Sequence, residues 1–364
     1  MTRAVLAAVM FALTGSSLTA QAVPEGSQAS GVASGYRRPI QLRMDPFRHV
    51  LIPHWGFVIS AGGFGGNNSL NVNDARALIQ VSDNIASSDV LNAMNLVREG
   101  SGLEFDGAAQ AGLYLGGPIG GKFSIGVSGM GRWYGFALVP EQAVAFLKGG
   151  NVANESFSLA NTRAVTLATA EAGAHATVRL GPLGSEDGVH VTLGFGGRMI
   201  WPQYYVNVGA DPASQIIVSP SNTSVNVTMS GFRSEDFAAG TNLGSGFAAD
   251  FLARVEWPTS GLALEAMVAN VGSVNVTGLI AQSFAVSVNT ASLNEAKDSL
   301  DAAEFIDGAT GQETTIKLPR IVRFTGSSWA NHFLQIDLSA TFAVHDEFDT
   351  PTTVNLGTTW RFLS

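Results

Sequence analysis

From Trp55 onward, apolar and polar residues alternate with a period of two in segment after segment, the mark of extended strands with one apolar face. Phe123, Ile125 and Val127 alternate with Ser124, Gly126 and Ser128, and Leu334, Ile336 and Leu338 with Gln335, Asp337 and Ser339. Val189, Val191, Leu193 and Phe195 are interleaved with His190, Thr192 and Gly194 in the same way. Strands are predicted at 55–64, 110–116, 122–130, 132–138, 172–180, 189–201, 203–208, 224–232, 248–257, 262–271, 277–288, 314–325, 333–344 and 353–362, about fourteen in all. Three inserts carry helical spacing instead, at 73–99, 140–147 and 291–306, and all are too polar and amphipathic to cross a bilayer.

Ahead of the strands the pattern is different. Residues 1–22 read as a signal peptide, with Arg3, an apolar run from Ala4 to Leu13, and Ala20-Gln21-Ala22 as a small-x-small cleavage site. Residues 23–54 begin Gly/Ser/Ala-rich and continue with Arg37, Arg38, Arg43 and Arg48, so this segment is expected to behave as a plug-like N-terminal piece. Residues 55–364 then form one unit, without a linker or composition break that would define a second domain.

Composition narrows the class. The 364 residues include no Cys, which excludes disulfides, thiolate metal sites and a cysteine nucleophile. Only 13% are charged, about half the ~25% usual in soluble domains, and the net charge of −9 offers no basic footprint for nucleic acid. An exported, Gly-rich chain with so little charge is expected to be an all-β, transmembrane antiparallel β-barrel of about 14 strands, with a few short helices in loops or lumen. A soluble two-sheet sandwich produces the same alternation and is kept as an alternative.

Aromatics near the predicted strand ends fit membrane-interface girdles: Trp133, Tyr134, Trp201, Tyr204, Tyr205, Trp257, Trp360 and Phe362. The last predicted strand, 353–362, ends two residues short of Ser364, as a closing strand read by the barrel-assembly machinery would. Charged residues inside predicted strands would be costly on a lipid face, ~2–4 kcal/mol for Arg near the midplane. Arg132, Arg179, Arg198, Arg254 and Arg323, with Glu171, Asp250, Glu256, Glu265 and Asp337, are therefore expected to face the lumen or its rim. There they would form a cross-lumen charge network holding the plug or filtering solutes; Arg37, Arg38, Arg43 and Arg48 are its candidates from the plug.

The residues from 110 to 364 resemble a known group. Phe146-Leu147-Lys148-Gly149-Gly150-Asn151 precedes a long strand pair, Gly244-Ser245-Gly246-Phe247-Ala248-Ala249-Asp250 opens a strand, Ala269-Asn270-Val271-Gly272 closes the next, and Leu318-Pro319 precedes another. In these pieces the chain resembles the uncharacterised outer-membrane β-barrels of diderm bacteria, distantly like the 14-strand fatty-acid-transporter and porin-like barrels. The resemblance implies a barrel with helices in its loops or lumen, and no established activity.

No enzyme is read from the residues. The six histidines show neither a helical i, i+4 pair nor HExxH, and the runs at 62–66 and 194–197 lack the context of a phosphate loop, so no cofactor or metal is expected. The expectation is thus a channel or transporter in the bacterial outer membrane. Its partners would be outer-membrane lipid and a small, hydrophobic solute held near Trp55, Phe57, Phe64 and the helix at 75–97. The other readings are a structural or surface-interaction barrel without transport and an exported soluble β-sandwich binding protein.

Overall fold

A computed structural model describes residues 45–47, 50–51, 54–67, 102–147, 154–184, 188–235, 243–292, 295–296, 299, 304–329, 334–344, 348 and 352–360. The signal peptide, most of the plug-like segment and the helix expected at 73–99 lie outside them. The described chain is almost wholly antiparallel strand: β1 (Gly56–Asn67), β2 (Leu103–Ile119), β3 (Phe123–Val139), helix α1 (Glu141–Leu147), β4 (Glu155–Ser158), β5 (Arg163–Leu183) and β6 (Val189–Ala210). It continues with β7 (Gln215–Ser219), β8 (Asn222–Arg233), β9 (Gly244–Trp257), β10 (Leu262–Thr290), β11 (Ile306–Asp307), β12 (Gln312–Lys317), β13 (Arg320–Trp329), β14 (Leu334–Val344) and β15 (Thr353–Trp360).

These elements form a single 15-stranded sheet with far fewer lateral positions than strands. β8 and β9 lie end to end between β6 and β10, since β6 pairs with β8 through Val206–Ala210 and with β9 through His190–Ile200. β11, β12 and β13 likewise follow one another along the other side of β10. The order across the sheet is therefore β1, β2, β3, β5, β6, β8 with β9, β10, β11 with β12 and β13, β14 and β15, ten positions, with β4 and β7 extending it beside β8.

The expectation of about fourteen spanning strands is corrected here. Segments 122–130 and 132–138 are the single strand β3, 189–201 and 203–208 are β6, and 262–271 and 277–288 are β10. Glycines and a proline inside long strands look like turns in sequence, yet here the ladders run through them. Of the expected helices, 140–147 appears as α1, and 291–306 is helical at Glu295, Ala296 and Ser299 but ends in β11.

The sheet is strongly curled. Asn270 of β10 donates through Nδ2 to the Tyr134 hydroxyl of β3 at 3.4 Å, although β5, β6 and β9 separate their strands. Side chains can meet across that interval only if the face between them is concave. Phe348, between β14 and β15, also packs on Tyr134, with ring centroids 5.4 Å apart. Among the described residues, β1 pairs with β2 alone and β15 with β14 alone, so the sheet is all-β and antiparallel with two edges, and no ladder closes it.

The two faces differ sharply in chemistry. The outer face exposes Phe57, Leu115, Val127, Phe195, Phe251, Leu264, Phe324, Leu338 and Leu356, one from each of nine positions in the sheet. The inner face buries layers in the order in which they occur along the strands. One apolar cluster joins Tyr134, Leu167, Ile200, Tyr205, Ala248, Val274, Ile316 and Phe348. Another gathers Phe47 with Leu252, Met267, Ala269 and Ile321. Charged side chains occupy the levels on either side of Phe47.

Candidate functional site

Period-two alternation in β9 places Ala248, Asp250, Leu252, Arg254 and Glu256 in one inner-facing row, all buried. The two charged levels grow from this row. At the first, Arg198 of β6 is fully buried and grips Asp250 at both oxygens, Nε to Oδ2 at 2.8 Å and Nη2 to Oδ1 at 2.9 Å. Its Nη1 donates to Glu171 of β5, and its Nη2 also reaches Asn270 Oδ1. His175 Nε2 lies 2.9 Å from Asp250 Oδ2, Arg132 Nη1 lies 3.6 Å from Glu171 Oε2, and Thr169 donates to Glu171 Oε1. Two guanidinium groups face two carboxylates here, so the fixed charges balance and nearly every lone pair is used.

Local backbone makes room for this level. A Cβ at Gly173 would stand 2.5 Å from Arg198 Cγ and 3.0 Å from Ser128 Oγ, and one at Gly196 would overlap the His175 ring. Glycine inside a strand here serves close packing. At Asn270 the ladder to β9 slips between Val268 and Val271, and φ is 63°, a left-handed bulge that asparagine tolerates better than most residues. The bulge aims the Asn270 amide N–H at Asp250 Oδ1, at 2.9 Å, and its side-chain Nδ2 at the carbonyl of Pro319, also at 2.9 Å.

The second level is a chain of alternating sign. Arg179 of β5 donates to Glu256 Oε2 at 3.0 Å, and Arg254 donates to Glu256 Oε1 at 2.7 Å and to Glu265 Oε2 of β10 at 3.3 Å. Arg323 of β13 lies 3.4 Å from Glu265 Oε1 and 3.4 Å from Asp45 Oδ2. Asp45 belongs to the segment preceding β1 and also accepts the Phe47 amide at 3.2 Å, a tight local turn. Phe47 and Val50 are fully buried, and a Cβ at Gly194 would stand 2.9 Å from the Phe47 ring. The described part of the N-terminal segment is thus seated on the inner face between two charged levels.

Of the residues singled out in the sequence, Arg132, Arg198, Arg254, Glu256 and Glu265 are brought together in these two levels. Arg37, Arg38, Arg43, Arg48 and Phe362 lie outside the described residues. Trp133, Trp201, Tyr204 and Trp257 take the outward positions of their strands, whereas Tyr134 and Tyr205, expected at a girdle, are buried on the inner face. Tyr134 shares the inward parity of Arg132, and the irregularity opposite Ala168 and Thr169 in the β5–β6 ladder turns Tyr205 inward. Trp360 takes its place in the β14–β15 ladder. Of the residues expected to hold a solute, Trp55 and Phe57 are both more than half exposed, and the helix expected at 75–97 lies outside the described residues.

His175, Asp45 and Phe47 were not singled out as site residues in the sequence, and Asn270 entered only as part of the Ala269-Asn270-Val271-Gly272 piece. Asp45 carried a signal, as an acidic residue ahead of Pro46 within a basic segment. His175 carried one too, standing in step with Thr169, Glu171, Gly173 and Thr177 in the alternation of that segment. Among the described residues no group of His, Asp and Glu could hold a metal ion, and no helix is long and apolar enough to cross a membrane. The chain matches no protein-family model, no curated protein and no solved structure.

Proposed function

We propose that this protein is an outer-membrane β-barrel that passes small solutes and is occluded, in the form described, by its N-terminal segment and a charge network. The observation that carries the reading is the contrast between faces: an outward row of large apolar residues on nearly every strand, backed by buried, charge-balanced side chains. In water such an outer face would be an aggregation surface; in lipid it is the low-energy face.

Dimensions support it. Trp257 lies one step beyond the His190–Glu256 pair and Trp201 marks the far end of the outward run of β6. That interval is about 40 Å along the strand, and a tilt of ~40° makes it about 30 Å, the thickness of a bilayer core. An even number of positions leaves β1 and β15 antiparallel, so pairing between them would close the sheet and satisfy both edges, which lipid demands. Export through residues 1–22 and assembly by the barrel machinery belong to the same reading.

The decisive experiment compares boiled and unboiled protein from a washed outer-membrane fraction by SDS electrophoresis, followed by planar-bilayer recording. A mobility shift with conductance that rises when residues 45–51 are replaced by a Gly/Ser segment is the expected result. A protein recovered in the soluble fraction without any shift would overturn the membrane reading. A second reading, a structural barrel without transport, draws on the density of the inner packing, and a shift without conductance in either form would favour it.

A further inference from the structure

The second charged level balances only with help from outside the sheet. Arg179, Arg254 and Arg323 meet Glu256 and Glu265 on the strands, and the remaining carboxylate is that of Asp45. Without Asp45 this level of the wall carries one positive charge in excess. Arg323 makes its contacts through Nη2 alone; its Nε and Nη1 are buried with no hydrogen-bond partner. Thr341, directly opposite Arg323 in the β13–β14 ladder, and Thr325, the next inward residue of β13, bury hydroxyls that also lack partners.

A buried guanidinium with two idle donors beside two idle hydroxyls is costly unless something fills it. We propose that Arg323, Thr325 and Thr341 form a binding site for a small monocarboxylate solute, and that the Asp45 carboxylate occupies its approach as an internal substitute while the N-terminal segment is seated. The class follows from the occupant already present, the single carboxylate that the N-terminal segment adds to Arg323 beside Glu265 of the wall. Asp337, buried two inward positions further along β14 with one oxygen unpartnered, disfavours a second negative charge at that end. The proposal rests on the occluded-barrel reading and names its solute and its release.

The test uses the full chain in detergent and in planar bilayers, with acetate as the probe. Asp45→Asn should raise conductance and increase the acetate-to-potassium permeability ratio several-fold over wild type. Acetate should also raise the temperature at which D45N loses its unboiled mobility, because it binds only the folded form. Adding Arg323→Gln should abolish both effects, and Arg323→Lys should restore part of the permeability ratio. Should R323Q fail to fold, Thr341→Val in the D45N background takes its place and should weaken both effects. Acetate effects that persist undiminished in D45N/R323Q or D45N/T341V would overturn the site. Stabilisation by acetate without conductance would keep the site and overturn the passage of solutes; conductance indifferent to acetate would do the reverse.

Discussion

The ring of Phe47 meets the imidazole of His175 edge-on, with centroids 5.2 Å apart and planes at 75°. One residue belongs to the segment before the sheet, and the other stands on β5 with its Nε2 turned to Asp250. The contact therefore ties the placement of that segment to the first charged level, and edge-to-face pairs of this kind add about 0.5–1.5 kcal/mol beyond area burial.

Breaking the first level should be expensive. Asp250→Asn leaves Arg198 buried with one carboxylate fewer, and losing one partner of a buried pair costs about 3–5 kcal/mol. Urea titration in phospholipid vesicles should show a loss of that order. Arg198→Met combined with D250N should cost less than the sum of the single changes, because the second substitution removes the charge the first one strands. Additive losses would mean that the two residues act independently.

Gly194→Ala should displace the segment rather than the strand. Its Cβ would meet Phe47 Cε1 at 2.9 Å and Thr177 Cγ2 at 3.1 Å, and the ring is the part free to leave. Limited proteolysis should then cut within residues 45–54 much faster than in wild type. Phe47→Ala should produce the same sensitivity, and G194A/F47A should be no more sensitive than F47A alone. Full protection of G194A would show that the ring accommodates the methyl group.

Phe195 and Phe251 face each other across the β6–β9 ladder on the outer face. If that face meets lipid near its midplane, Phe195→Arg should cost ~2–4 kcal/mol and sharply lower the yield of heat-modifiable protein. Trp257→Arg, near one end of the same face, should cost less. Equal tolerance of both changes in a water-soluble, monodisperse protein would contradict a lipid-facing surface.

Away from that face, Asp307 of β11 accepts hydrogen bonds from Arg233 and Gln282, and these donors hold its carboxyl below the usual 3.8. A depressed folded value means that the contribution is present above the unfolded value and fades as pH falls through the folded one. The short β10–β11 ladder should therefore loosen only in acid below the ordinary aspartate range. Hydrogen exchange at the Ser283 amide should accelerate there in wild type and lose that acid dependence in Asp307→Asn.

Much of this was legible in the alternation. Gln335, Asp337 and Ser339 are buried while Ile336 and Leu338 are exposed, and His190 and Thr192 are buried while Leu193 and Phe195 are exposed, as period two requires. The same rule placed Arg132, Arg198 and Arg254 inward, since a charge in the middle of an apolar alternation has only one affordable side. What alternation could not supply was lateral arrangement. Val206–Ala210 pairs with β8 and the earlier part of β6 with β9, a division that leaves no mark in local sequence. Nor could it find Asp45, whose partner Arg323 lies on β13, far along the chain. Pairings of that separation are decided by the tertiary fold.

The bulge at Asn270 has a further effect on β10. Before it, Ala263, Glu265, Met267 and Ala269 point inward; after it, Val274 and Val276 do, so odd numbering gives way to even. One extra residue thus changes the reading frame of the strand, and the inward code of its two halves is written in opposite phase. Flattening the bulge with Asn270 kept as an ordinary strand residue would leave the sequence intact yet turn the far half of β10 inside out, delivering Val274 and Val276 to the outer face and Asn275 to the inner, whereas deleting Asn270 would bring the two halves into one phase with Val274 and Val276 still inward. A frameshift in structure, without one in the gene, is the cost at which a single left-handed asparagine reaches Asp250, Arg132 and Arg198 together.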